Sequence, residues 1–185
     1  MSNEKKDSAT TPDIKTIGTL AKDGVKISDK GSIDALTQRG YGTAENSVCT
    51  LAFYEALFLL DKQMLQVREA KGAEVTFQSL LKAYEGLDEN AWVRYLVYRD
   101  LRSRGYVVRE GFGAAIDFRI YERGAYGKDT AQFLVASTQE GKPMLIEDLA
   151  NVLTQSQSLK KELIFAVINR RGEIVYYSVA PLTFK

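Results

Sequence analysis

After Gly105 the chain changes character. Tyr106 to Arg109, Ile116 to Tyr121, Phe133 to Ser137, Leu163 to Ile168 and Ile174 to Val179 are five short runs rich in β-branched and aromatic residues. One helical stretch, Leu145 to about Leu153, falls between the third and the fourth. The order βββαββ predicts an α/β unit in which a single helix packs on a mixed sheet, because strands with a helix among them bury their apolar face under that helix. A longer helix leads in: Asn90 is placed as its N-cap, Gly105 as its C′ residue, and Val93, Leu96, Val97 and Leu101 share one face.

The first half reads as a mixture of helix and strand. Ile17 to Ser28 reads as a hairpin about Lys22-Asp23-Gly24. Ser32 is placed to cap a short helix that runs to Gln38 and ends at Gly40. Ala52, Glu55, Ala56, Leu59 and Leu60 make a mostly apolar helical stripe, and Leu65-Gln66-Val67 follows as a strand. Thr76 opens a helix carrying Leu80, Leu81 and Tyr84. The expected class is therefore mixed α/β (α+β), with a small N-terminal domain over residues 1–89 and a C-terminal domain over residues 90–185.

Composition narrows the chemistry more than the partners. The 25 lysines and arginines nearly balance 24 acids, so any nucleic-acid surface must be local. There is no histidine, which removes the usual proton shuttle and the commonest metal ligand, and no metal or other cofactor is expected. The single cysteine, Cys49, lies in the apolar run Val48 to Phe53 and reads as a buried thiol of a reducing compartment. No apolar run approaches the roughly 20 residues of a membrane span. The polar opening, Met1 to Pro12, reads as a disordered start of a cytoplasmic protein.

Between Arg94 and Arg123 stand seven arginines against four acids, interleaved with aromatics such as Tyr95, Tyr98, Phe112 and Phe118. Exposed, that combination would contact phosphates and stack on bases; a solvated helix face followed by core aromatics is the weightier reading of the composition alone. Gly111-Phe112-Gly113-Ala114-Ala115 lacks the third glycine of a nucleotide fingerprint and precedes a strand. Asp117 and Arg119 fall on one strand face and are expected to pair.

The run Tyr95 to Val108, its continuation Ala115-Ile116-Asp117-Phe118-Arg119-Ile120-Tyr121-Glu122-Arg123-Gly124, and then Phe133-Leu134-Val135, Ser158 to Leu163 and Gly172 to Tyr177 resemble the archaeal tRNA-intron endonuclease family. The resemblance covers the second half by motif and the first half by layout. It implies a restriction-endonuclease-like C-terminal sheet and metal-free cleavage of RNA by a tyrosine base, a histidine acid and a lysine that stabilises the pentavalent phosphorus. The matching positions are Tyr121, Thr130 and Lys161, so threonine stands where the family has histidine; a one-residue slip would put Ala131 there. The arginine that the family often carries seven residues before its lysine is Thr154 here.

Losing a general acid costs about 10²- to 10⁴-fold in rate. The resemblance therefore implies a structural subunit that pairs with a catalytic one, in a heterotetramer of two plus two acting on precursor tRNA. Arg99, Arg102, Arg104, Arg119 and Arg123 are its expected RNA contacts. Ile174, Val175, Tyr176 and Tyr177 of the last strand, with Glu140 of the loop Thr138 to Pro143, are its expected interface. A self-sufficient ribonuclease with a substituted acid and a general RNA-binding module are the alternatives.

Overall fold

The computed structural model describes residues 16–113 and 115–182; the polar opening expected to be disordered lies outside them. The first half forms a six-stranded sheet. Strands β1 (Thr16–Ala21) and β2 (Gly24–Ile27) make the expected hairpin, and β3 (Thr43–Glu45) and β4 (Val48–Leu51) extend it antiparallel beyond β2. On the other side β5 (Leu65–Arg68) runs parallel to β1, and the two-residue β6 (Glu74–Val75) closes the edge. Helix α1 (Lys30–Gln38) connects β2 to β3, α2 (Phe53–Asp61) connects β4 to β5, and α3 (Phe77–Glu85) follows β6.

The cap of α1 differs from expectation. Asp29 is the N-cap, and its carboxylate accepts from the Ser32 backbone N–H at 2.8 Å, so Ser32 lies one turn inside the helix. The three strands that the sequence hides have distinct causes. Every residue of β3 is exposed, β6 is only two residues long, and β4 runs into α2 with no turn residue to mark the break.

The second half follows the expected order. Helix α4 (Ala91–Ser103) precedes β7 (Val107–Glu110), β8 (Phe118–Tyr121) and β9 (Phe133–Gln139); then come α5 (Ile146–Ser158), β10 (Glu162–Ile168) and β11 (Ile174–Val179). The sheet order is β11-β10-β9-β8-β7, antiparallel except for the β9–β10 pair that α5 connects. Gly105 follows the α4 C-cap with φ +89°, the left-handed C′ position that glycine occupies without strain. Asn90 sits at the N-cap but makes no capping bond; its Oδ1 accepts from Lys142 instead. Helix α5 extends five residues past the expected Leu153, through a polar run in which Ser156 is buried and returns its hydroxyl to the Leu153 carbonyl.

One core joins the two halves. Tyr54 and Phe58 of α2 meet Tyr98 of α4, with ring centroids 4.9 and 5.9 Å apart, and Tyr54 meets Phe118 of β8 edge-on at 5.2 Å. Such pairs add roughly 0.5–1.5 kcal/mol each beyond their burial. A smaller cluster, Ile116, Leu134, Ala136, Val152, Leu163 and Phe165, lies between α5 and the opposite face of the second sheet.

A buried ion pair crosses the same seam. The carboxylate of Glu55 accepts from the backbone N–H groups of Gly42 and Ala52 at 3.0–3.2 Å and stands 3.4 Å from Arg109 of β7, which also donates to the Gly40 carbonyl at 3.1 Å. Burial pushes the Glu55 carboxyl up, while Arg109 and the two N–H groups pull it down; burial prevails. Removing one member strands the other in a dry site. Glu55→Ala is therefore expected to lower the unfolding free energy by about 3–5 kcal/mol, with a smaller loss for Glu55→Gln, which keeps the shape; urea melts of both variants measure it.

Candidate functional site

The cleft of interest opens at the end of β8. Tyr121 is the last residue of that strand, half-buried, and its ring meets Tyr126 edge-on at 5.2 Å. Residues 122–132 cross from β8 to β9 through tight turns: the N–H groups of Ala125, Lys128 and Asp129 bond back to Glu122 and Ala125, and Gly124 and Gly127 take φ near +80°. This loop returns Thr130 to the same cleft as Tyr121 and Tyr126. Ala131, the alternative at the acid position, is buried, so its side chain belongs to the core.

Lys161 is joined to the cleft through Thr130, and the end of α5 aims it. The N–H of Lys161 bonds the Ser156 carbonyl at 3.0 Å and that of Lys160 bonds Gln157 at 2.9 Å, the paired bonds of a Schellman turn with Lys160 in the left-handed conformation at φ +54°. Lys161 Nζ then donates to Thr130 Oγ1 at 2.8 Å. The three positions singled out by the resemblance thus stand around one cleft. A phenol, an ammonium and an aliphatic hydroxyl are on offer, but no group there is an imidazolium, and threonine's hydroxyl does not donate a proton near neutrality as imidazolium does.

Thr154, which the resemblance matches to the family's arginine, is exposed on α5 and turns its hydroxyl to the Ala150 carbonyl. Among the described residues no group of three or more His, Cys, Asp or Glu side chains is placed to hold a metal ion.

The arginine-rich stretch is divided by the fold. Arg94, which the sequence reading left aside, lies between Asp88 at 3.1 Å and Asp117 at 2.6 Å. Asp117 therefore pairs with Arg94 and not with Arg119, which extends over the Phe112 ring, because the preceding helix delivers its guanidinium to the start of β8. Arg102 stacks 3.9 Å from the Tyr41 ring centre and donates to the Arg39 and Tyr106 carbonyls, tying the halves together. Arg104 is held by Asp100 at 2.7 Å, and Arg123 donates to the Arg104 carbonyl at 3.1 Å, both with exposed side chains. Arg99 is exposed beside Tyr95. The interleaved Tyr95, Tyr98 and Phe118 are 0–1% exposed, so they are core and cannot stack on a base.

The expected interface residues alternate as a strand requires. Val175 and Tyr177 are 42% and 54% exposed, whereas Ile174 and Tyr176 pack toward the main core and the Tyr176 hydroxyl donates to Asp100 at 2.6 Å. Burial and the Asp100 bond push the Tyr176 phenol far up. Glu140 turns back on its own chain and accepts from the Arg170 N–H at 3.2 Å.

Lys160 carries the strain of the turn that aims Lys161. Lys160→Gly relieves it and is expected to raise the unfolding free energy by up to about 1 kcal/mol, net of glycine's extra freedom in the unfolded chain; Lys160→Val is expected to lower it, both read from urea melts.

Comparison with known proteins agrees with this layout. The family model described as tRNA intron endonuclease, catalytic C-terminal domain, matches residues 91–176, and the one described as tRNA intron endonuclease, N-terminal domain, matches residues 16–81. A tRNA-splicing endonuclease of Methanococcus vannielii is 34% identical over 163 residues, 88% of this chain and 92% of that protein. That of Pyrococcus furiosus is 33% identical over 141 residues, 76% and 81% of the two chains. That of Methanococcoides burtonii is 30% identical over 161 residues, 86% of this chain but 45% of its own length. With both domain models matched in order, and relatives of this identity matched over most of their length, the chain belongs to the tRNA intron endonuclease family.

Proposed function

We propose that this chain is a non-catalytic, structural subunit of a heteromeric tRNA-splicing endonuclease, holding histidine-bearing subunits on precursor tRNA. One observation carries the reading: Thr130, the residue that the resemblance matches to the acid position, has its hydroxyl bound to Lys161, in a chain without histidine. The transition state for RNA transesterification needs a proton delivered to the departing 5′-oxygen. Tyr121 and Lys161 supply a base position and a cation, and neither replaces the missing donor.

The last strand supports assembly with a neighbour. Among the described residues it is the edge of its sheet, and Val175 and Tyr177 stand exposed on the face that bears α5, as register partners of Val167 and Phe165. A long exposed edge with apolar side chains is a surface that proteins ordinarily pair or cover. Arg99, Arg104 and Arg123, with exposed side chains, are the better placed of the five arginines to reach phosphate; Arg102 and Arg119 are held closer to the fold.

The test is cleavage of an intron-containing precursor tRNA. Alone, the chain is expected to leave the precursor intact; mixed with a histidine-bearing family subunit that is inactive by itself, it is expected to give spliced-site products. Release of a 2′,3′-cyclic phosphate by this chain alone would make it a self-sufficient ribonuclease and overturn the proposal. Binding of diverse RNA with no effect on the mixture would make it a general RNA-binding module.

Two substitutions refine the reading. Thr130→His, assayed with a partner whose own histidine is removed, is expected to raise cleavage about 10²- to 10⁴-fold over the unsubstituted chain. Tyr177→Glu, which places a charge on the open strand face, is expected to shift the complex toward free subunits in sedimentation velocity while leaving the melting temperature of the isolated chain in place.

A further inference from the structure

A second groove lies at the other end of the same strand pair. Phe118 pairs with Val135 and Ile120 with Phe133, so Tyr121 and Thr130 flank one end of the β8–β9 ladder while Asp117 and Ser137 flank the other. At about 3.3 Å per strand residue, the ends are roughly 13 Å apart. The far groove runs between α4, α5 and the ends of the strands, over a floor of Ala136, Val152 and Phe165. All three floor residues are buried and apolar.

The polar groups around this floor fall into two sets. Those on the α4 side are satisfied. Arg94 is paired with Asp88 and Asp117, the second Asp117 oxygen accepts from the Ser137 N–H at 2.6 Å, and Lys142 stands 3.4 Å from Glu89. No cation of the groove is therefore left to clamp a phosphate, and its inner carboxylate has no vacancy for an ammonium or guanidinium.

Those on the α5 side are free. Asp148, Asn151 and Gln155 fall at i, i+3 and i+7, on one face of the helix, and all three line the groove. Among the described residues none of their side chains makes a hydrogen bond or ion pair. Opposite them the Ser137 hydroxyl is shielded from solvent and, among the described residues, has no hydrogen-bond partner.

An apolar floor, a row of two amides and a carboxylate along one wall, and an unpaired hydroxyl across from them describe the recognition of a neutral, flat heterocycle by its edge. Amides pair bidentately with the amino group and ring nitrogen of adenine, and carboxylates accept from an exocyclic amine. Unstacked bases of RNA are read in this way, by hydrogen bonds to their edges while one face rests on apolar or aromatic side chains. We infer that this groove binds an unstacked nucleobase bearing an exocyclic amine, adenine above uracil. The wall on α5 reads its edge and the groove takes no part in cleavage. The inference is independent of the structural-subunit reading, since it concerns binding by this chain alone.

The experiment follows the side-chain amide signals of Asn151 and Gln155 by ¹⁵N-resolved NMR of the full chain, titrated with adenosine, with uridine, and with an RNA duplex carrying an adenosine bulge. Saturable shifts of both amides with adenosine or the bulged duplex, and not with uridine, are expected. The paired substitution Asn151→Ala and Gln155→Ala, on the open side of α5, is expected to weaken that binding about tenfold or more while retaining the unfolding midpoint. Response to the duplex alone assigns a base within RNA; response to adenosine assigns a free nucleoside as a sufficient ligand. Shifts of equal size with uridine, or none with any of the three probes, would overturn the inference. So would loss of assembly with a catalytic subunit in the paired variant without any nucleoside response, which would assign the groove to a protein contact.

Discussion

The carboxylate of Glu55 is the point about which the two halves are arranged. It lies at the start of α2, bonds the N–H of its own helix's first turn, gathers the backbone of Gly42, and faces the one guanidinium that β7 sends across the seam. A charge placed this deep is tolerated only where several donors converge on it. The turn at Gly42 is shaped by the same demand, since its φ of +64° and the nearness of the Cys49 thiol leave no room for a side chain. Arg102 of α4, stacked on Tyr41 and bonded to Arg39, makes a second link across the seam. Together they fix the first sheet against α4 and β7, and hence the position from which β8 and its tyrosine project.

That rigidity explains how the cleft keeps its shape with a threonine at position 130. Tyr121 is placed by the β7–β8–β9 ladder, and Lys161 by the carbonyls at the end of α5. The backbone placement of neither depends on the residue at position 130. Thr130 needs only to be small and polar enough to sit on an open loop, and its hydroxyl gives the lysine a neutral partner. The chemistry of the site can therefore change by one side chain without disturbing the fold around it.

Much of the second half was legible in the sequence because its strands are short, apolar and separated by turn residues, and because Gly105 ends α4 where a left-handed residue is required. The first sheet was harder to read. Cys49 and Leu51 are fully buried, yet their strand merges with α2 into one apolar run in which the change from two-residue to helical spacing is lost. Glu55 was visible as one polar member of an apolar stripe, but its partner lies 54 residues away, and no local pattern announces such a pair. A separation of 23 residues likewise hid the Arg94–Asp117 bridge, where Arg119 was the nearer candidate. At the cleft, positions 121, 130 and 161 were singled out by the family resemblance; that Thr130 and Lys161 touch could not be foreseen, because a Schellman turn built on a lysine has no glycine to mark it.

The shared aromatic core also has a temporal side. A ribosome releases the first sheet before α4, yet Tyr54 and Phe58 find their partners only when Tyr98 and Phe118 have been synthesised. Until then α2 presents an apolar face of unusual size, since seven of its nine residues are buried in the finished protein. At elongation rates of about 5–20 residues per second, the roughly 60 residues separating Tyr54 from Phe118 take several seconds to appear. The nascent chain thus passes through an interval in which its own second half acts as the shield for its first.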